Sequence, residues 1–255
     1  MCGERITDPA DPRLAPYRDL RDGGLAARRG LFVAEGRPLV RRLLAGARFR
    51  AHSVLATAPM AAALQDVVDG VPLYVVDEAT IRSVVGFAFH RGCLALGDRG
   101  VPDAIEALLA GRRLVVLERV TNPDNMGAVF RNAAALGADG VLLSPGCGDP
   151  LYRKAVRVSM GAALRVPFAT STDWPTDLDR LRARGFTLVA LTPDGDIDVA
   201  AVAGPRVAII LGAEGEGVSA AVRAMADARA AIPMAPGDHS LNVAVACAIA
   251  LHQLR

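Results

Sequence analysis

Short apolar runs alternate with helical stripes along the whole chain, an alternation that predicts an α/β fold with largely parallel strands. In the first part the β-rich runs fall at 31–34, 53–56, 73–76 and 93–96. The stretch 38–45 reads as a helix whose buried stripe is Leu39, Val40, Leu43 and Leu44. Arg37, Arg41 and Arg42 lie off that stripe, as on any amphipathic helix or on a basic edge that faces a polyanion. The pattern breaks at Asp98-Arg99-Gly100-Val101-Pro102 and resumes after Gly111-Arg112-Arg113. A linker is therefore expected at 98–112, between an N-terminal domain (1–97) and a C-terminal one (113–255).

The second part reads as strand 114–117, helix 126–136, strand 140–143, helix 151–160 and strand 166–169. It continues with helix 176–184, strands 186–191 and 207–211, a glycine-rich loop, a short helix, strand 230–232 and helix 241–254. The last helix is apolar almost all round, with Leu241, Val243, Val245, Cys247, Ile249 and Leu251 on different sides. Such a helix needs burial on several sides, and a second copy of the chain would cover its outer face, so a homodimer is expected.

Composition narrows the picture. The chain has 255 residues, 52% of them hydrophobic and 22% charged, enough for a packed core in one large or two small domains. The 29 basic and 27 acidic residues leave a net charge of +2, which excludes a histone-like polycation. Residues 1–50 nevertheless hold 11 arginines against 6 acids, and Arg153, Lys154, Arg157 and Arg165 form a second, acid-free cluster. Two basic zones suit a polyanion held at two places, and they suit a solvated charged face equally well. No secretory leader pattern is present, and the apolar stretch 241–251 is too short to span a bilayer, so a soluble, cytoplasmic protein with no membrane partner is expected. The four scattered cysteines form neither a zinc pattern nor a disulfide framework, and no metal is expected.

Three loops look chemical. The first, 121–132, leaves a strand and opens a helix; Asn125 is placed to cap it, Gly127 clears its N-terminus, and Arg131 lies one turn beyond on the same face. A plain capped helix with a surface arginine would look the same. The second, Leu211-Gly212-Ala213-Glu214-Gly215-Glu216-Gly217, follows a buried strand, but its spacing and late position match neither a Rossmann fingerprint nor a P-loop. The third runs from Ile232-Pro233-Met234 to Ser240-Leu241-Asn242-Val243. Here Ser240 reads as a helix N-cap, Asn242 as an amide needing a partner if buried, and His239 is given no role.

Taken in order, N-x-G-x-x-x-R, L-G-x-E-G-x-G and I-P-M…S-L-N-V-x-V-A resemble the three motifs of the SpoU (TrmH-like) RNA ribose 2′-O-methyltransferases of the SPOUT superfamily, over about 113–254. The stretches 149–155 and 159–167 also look like that family. Residues 28–97, with Phe32-Val33-Ala34-Glu35-Gly36 and His90-Arg91-Gly92-Cys93, resemble its small N-terminal substrate-binding domain of L30e type. The resemblance implies a parallel-sheet catalytic domain closed by a deep trefoil knot, a homodimer that completes the site, and S-adenosyl-L-methionine as cofactor. It implies that Gly212, Ile232 and Leu241 border the cofactor, that Arg131 is the key catalytic residue, and that Asn125, Glu214, Ser240 and Asn242 surround it. Arg37, Arg41, Arg153, Lys154 and Arg157 would hold a structured RNA, ribosomal in preference to transfer RNA. Two other classes remain open at this point: an RNA-binding protein with an inactive methyltransferase domain, and a nucleotide-dependent oxidoreductase.

Overall fold

The computed structural model describes residues 3–20, 25–87, 89–235, 237 and 240–254. The chain forms two units, one of Met1–Val101 with Leu151–Arg165, the other of Pro102–Pro150 with Val166–Arg255. Among the described residues no helix is long and apolar enough to cross a membrane.

In the first unit, β1 (Glu4–Arg5), β2 (Leu31–Glu35), β3 (Ala51–Ala56), β4 (Leu73–Val75) and β5 (Cys93–Asp98) form one sheet in the order β1-β4-β3-β5-β2. The helices α1 (Leu25–Arg28), α2 (Arg37–Leu44), α3 (Ala58–Ala62) and α4 (Glu78–Val85) lie between its strands. β1, β4 and β3 run parallel, whereas β5 runs antiparallel to both β3 and β2. The sheet is therefore mixed, with β5 alone reversed among its strands. Every residue of β2 is buried, and a strand buried on both faces shows the same apolar run whichever way its neighbours point. Tyr17, at the end of a 3-10 helix (Pro12–Tyr17), belongs to the core beneath, its hydroxyl 2.6 Å from the buried Ser53 Oγ.

The second unit alternates strand and helix: β6 (Arg113–Glu118), α5 (Pro123–Leu136) and β7 (Gly140–Leu143). After α6 (Arg153–Val158) come β8 (Phe168–Thr170), α7 (Asp177–Ala183), β9 (Thr187–Leu191), β10 (Ile197–Asp198), β11 (Val207–Gly212), α8 (Ala220–Met225), β12 (Ala228–Ala231) and α9 (Val243–Gln253). Its seven strands are ordered β10-β12-β9-β11-β6-β7-β8, and every pairing is parallel. Helices cover such a sheet, which is why β6, β7 and β11 read as continuous Val/Ile/Leu runs.

Two local expectations need correction. The cap of α5 is Asn122, whose Oδ1 accepts from Asp124 N–H at 2.8 Å; Asn125 is the third helical residue and is buried. The cap of α9 is Asn242 rather than Ser240, with Asn242 Oδ1 accepting from Ala244 N–H at 2.9 Å. In both helices a second capping-type residue lies within three positions, and the sequence alone offers either as the start. Residues 151–165 pack within the first unit, where α6 lies against β2 and Arg153 donates to the buried Glu35 carboxylate at 2.9 Å.

Helix α9 packs on α5 and buries Val243, Ala244, Cys247, Ala250 and Leu251, but Val245 stays 47% exposed and Leu241, just before it, 38%.

Candidate active site

In an open parallel sheet, ligands collect beyond the carboxyl ends of the strands. Here the chain leaving β9, β11 and β12 surrounds a cavity of about 530 Å³, within the usual range for a small-molecule site. One wall is Leu191, Thr192 and Pro193; another is the loop Gly212–Gly217; Ile232 and Met234 follow β12, and residues 240–243 close the side next to α9. The loop folds tightly on itself. A Cβ on Gly212 would overlap the Gly217 carbonyl, and Gly217 N–H donates to Ala213 O at 2.9 Å, so glycine is required at 212.

At the rim, three side chains from distant segments meet. Asn125 Nδ2 donates to Glu214 Oε1 at 2.5 Å, and Asn242 Nδ2 donates to Asn125 Oδ1 at 2.9 Å and to Glu214 Oε1 at 3.1 Å. The orientation of the Asn242 amide follows from its cap, because the oxygen that accepts from Ala244 N–H leaves only the nitrogen to face Asn125 and Glu214. Each amide nitrogen in the cluster then meets an acceptor, and Glu214 Oε2 has no hydrogen bond among the described residues.

Of the residues singled out from sequence, Gly212, Glu214, Ile232, Ser240, Leu241 and Asn242 all line the cavity, and Asn125 joins them through Glu214. Arg131 stands apart. Six residues beyond Asn125, it lies about 240° round α5 and about 9 Å along it. It is exposed, with no ion pair or hydrogen bond among the described residues. Its neighbour Asn132 ties α5 to α9 through Ala244 O at 2.7 Å. Residue His239 lies outside the described residues.

Two of the basic residues hold acidic partners. Arg41 is bound to Asp66 through both guanidinium nitrogens, at 2.6 and 2.5 Å. Arg153 is tied to Glu35 and stacks over Phe87, its guanidinium carbon 4.0 Å from the ring centre. Arg37 is exposed, and Lys154 and Arg157 are half-buried on α6.

Sequence reading missed the wall after β9. Thr192 Oγ1 is buried there without a hydrogen bond of normal geometry among the described residues. It is still near enough to Asp194 to be the main reason that carboxyl is held below its usual range, with Arg223, 3.1 Å from Asp194, as a further cause. It also missed Glu118 and Arg119 at the end of β6, which hold the glycine loop. The usable signal was positional: Thr192 and Arg119 each follow directly on a strand of a parallel sheet.

A wall of aliphatic groups and exposed loop backbone, with the Thr192 hydroxyl among it, suits an adenosine-bearing ligand held by backbone groups. The model of the SpoU rRNA methylase family matches residues 112–252. Over 260 aligned residues the chain is 44% identical to an uncharacterized tRNA/rRNA methyltransferase of Mycobacterium tuberculosis (strain H37Rv), covering 97% of this chain and 90% of that one. It is 31% identical over 191 residues to the 23S rRNA (guanosine-2′-O-)-methyltransferase RlmB of Ralstonia nicotianae, covering 72% of this chain and 76% of the other. In fold it resembles AviRb of Streptomyces viridochromogenes, solved in complex with AdoMet, with a TM-score of 0.81 at 24% identity over 95% and 96% of the two chains.

Proposed function

Because the chain belongs to the SpoU rRNA methylase family, we propose that it transfers a methyl group from S-adenosyl-L-methionine to a ribose 2′-hydroxyl of a structured RNA, ribosomal RNA in preference to transfer RNA. The observation that carries the reading is the cavity between the glycine loop and residues 240–243, with Asn125, Glu214 and Asn242 bonded at its rim.

In this reading the backbone of 212–217, with Ile232 and Leu241, holds the adenosine end, beside Thr192. The cofactor supplies a methyl group already activated on sulfur, so the protein's tasks are to align the 2′-oxygen and to ease loss of its proton. Asn125, Glu214 and Asn242 form a fixed polar floor, and Ser240 adds a hydroxyl beside it. A guanidinium keeps its proton below about pH 12, so Arg131 acts as a phosphate clamp and nucleophile positioner rather than as the base.

The same reading includes a homodimer through α9, in which a second copy completes the site that Arg131 does not reach within one chain. Its support is the exposure of the apolar Val245 and Leu241. RNA beyond the reactive nucleotide is held by the N-terminal domain and by 151–165, through Arg37, Arg41, Arg153, Lys154 and Arg157, with Arg37 and Arg157 contributing more than Arg41 and Arg153, whose charges are already paired with Asp66 and Glu35. The division into an RNA-holding domain (1–97), a linker and a knotted catalytic domain (113–255) belongs to the same reading. Its support is that the family match begins at residue 112.

The test is methyl transfer from labelled S-adenosyl-L-methionine to unmodified ribosomal and transfer RNA, beside Arg131→Ala, followed by nucleoside analysis. A 2′-O-methylated nucleoside made by the wild type and lost in the variant is expected. Cofactor binding without transfer to either RNA or to ribosome-assembly particles would favour a non-catalytic RNA-binding protein.

A further inference from the structure

Arg119, the residue after β6, has a left-handed backbone, with φ of 55°. An L-residue is disfavoured there relative to glycine. The backbone does not explain the arginine: its N–H donates to Ser144 Oγ at 2.9 Å, a bond open to any residue but proline. The side chain does. Its guanidinium lies 2.7 Å from Glu216 Oε2, in the middle of the glycine loop, and Glu216 lines the cavity.

The rest of the loop is fastened to the same place. Gly212 at its near end is the register partner of Glu118 across β11 and β6. Buried Glu118 holds the far end, accepting from Ser219 N–H at 2.8 Å and Ser219 Oγ at 2.7 Å, with Trp174 Nε1 donating to it at 3.2 Å. Glu118 and Arg119 thus grip the loop at its start, middle and end, and the chain runs on from them into α5, which carries Asn125 and Arg131.

We propose that Arg119 is a positioning residue: through Glu216 it keeps the middle of the 212–219 loop in the shape that walls the cavity, and it thereby sets affinity for S-adenosyl-L-methionine. This rests on the cavity being the cofactor site. The two side chains are 48% and 66% exposed, so the pair has the strength of a surface ion pair, equivalent to about two- to five-fold in affinity.

Arg119→Gly, Glu216→Gln and the double variant test it, with two readouts. In the ligand-free protein, hydrogen exchange of the Gly217 amide reports the loop directly, and it should quicken in all three variants. The Kd for S-adenosyl-L-methionine should rise about two- to five-fold in each single variant and no further in the double. The Tm of Arg119→Gly should equal or exceed that of the wild type, since glycine relieves the left-handed backbone; a purely structural arginine would lower it. Unchanged Gly217 exchange, or losses that add in the double variant, would overturn the proposal. Exchange that responds in a protein whose wild type does not bind S-adenosyl-L-methionine would uphold the clamp and overturn the cofactor reading instead.

Discussion

Asn242 Nδ2 donates to Asn125 Oδ1 at 2.9 Å, joining the first turn of α5 to the cap of α9 across 117 positions of chain. The same Asn242 side chain caps α9 with its oxygen, so one amide fixes a helix start and a polar site together.

These two duties can be separated. Asn242→Asp keeps a good cap but sets a second carboxylate where the amide nitrogen lies 3.1 Å from Glu214 Oε1. Thermal stability should fall below that of the wild type at pH 8, where both carboxylates are charged, and the gap should close as the pH drops towards about 4. Methyl transfer at pH 8 should drop tenfold or more, by an order-of-magnitude estimate. Asn242→Ala, which loses the cap as well, should be less stable at every pH by about 1–2 kcal/mol. Thermal scans at several pH values, with single-turnover assays, check both; equal stability profiles for the two variants would contradict the assignment.

Arg153 and Arg157 should behave differently although both were read from sequence as RNA contacts. Removing Arg153 leaves the nearly buried Glu35 carboxylate with Arg91, 3.4 Å away, as its one remaining ion-pair partner among the described residues. Arg153→Ala should therefore destabilise the protein by about 1–3 kcal/mol in urea titration, allowing for the partial exposure of the arginine. Arg157→Ala should leave stability within about 0.5 kcal/mol and weaken RNA binding, with a shallower dependence on salt.

Val245, 47% exposed on an otherwise apolar helix, tests the dimer. Val245→Arg should sediment as a monomer at concentrations where the wild type is dimeric, and it should lose methyl transfer while keeping its far-UV spectrum. A wild type that is monomeric at all concentrations would remove the interface from the reading.

Burial pushes the Cys247 thiol up to about 12 and the Cys93 thiol up to about 11, both from an ordinary value of 9.0. The unfolded chain gives up these protons first. Their contribution to stability is therefore intact below about pH 9 and declines as pH rises, through about 11 for Cys93 and about 12 for Cys247. The urea midpoint should fall across that window, and less steeply in Cys247→Ala than in the wild type. Neither thiol should react with an alkylating probe in the native protein at pH 8.

Local sequence pattern alone carries most of the elements and part of the cavity lining. Continuous apolar runs such as 114–117 and 207–211 fix strands of a covered parallel sheet, since only burial on both faces tolerates them. Gly212, Ile232 and Leu241 were legible because ordered motifs preserve what backbone contacts demand locally. What the tertiary structure decided is which side chains meet. Asn125 and Asn242 both look like caps in sequence, and only the packing of α9 on α5 turns them into partners of Glu214. The direction of β5 and the placement of 151–165 in the first unit were equally illegible, because an apolar run records that it is buried and not against what. Arg153 shows the same limit for charge: its sequence neighbours are basic, yet its partner is a carboxylate 118 positions away, and long-range pairing of that kind leaves no local trace.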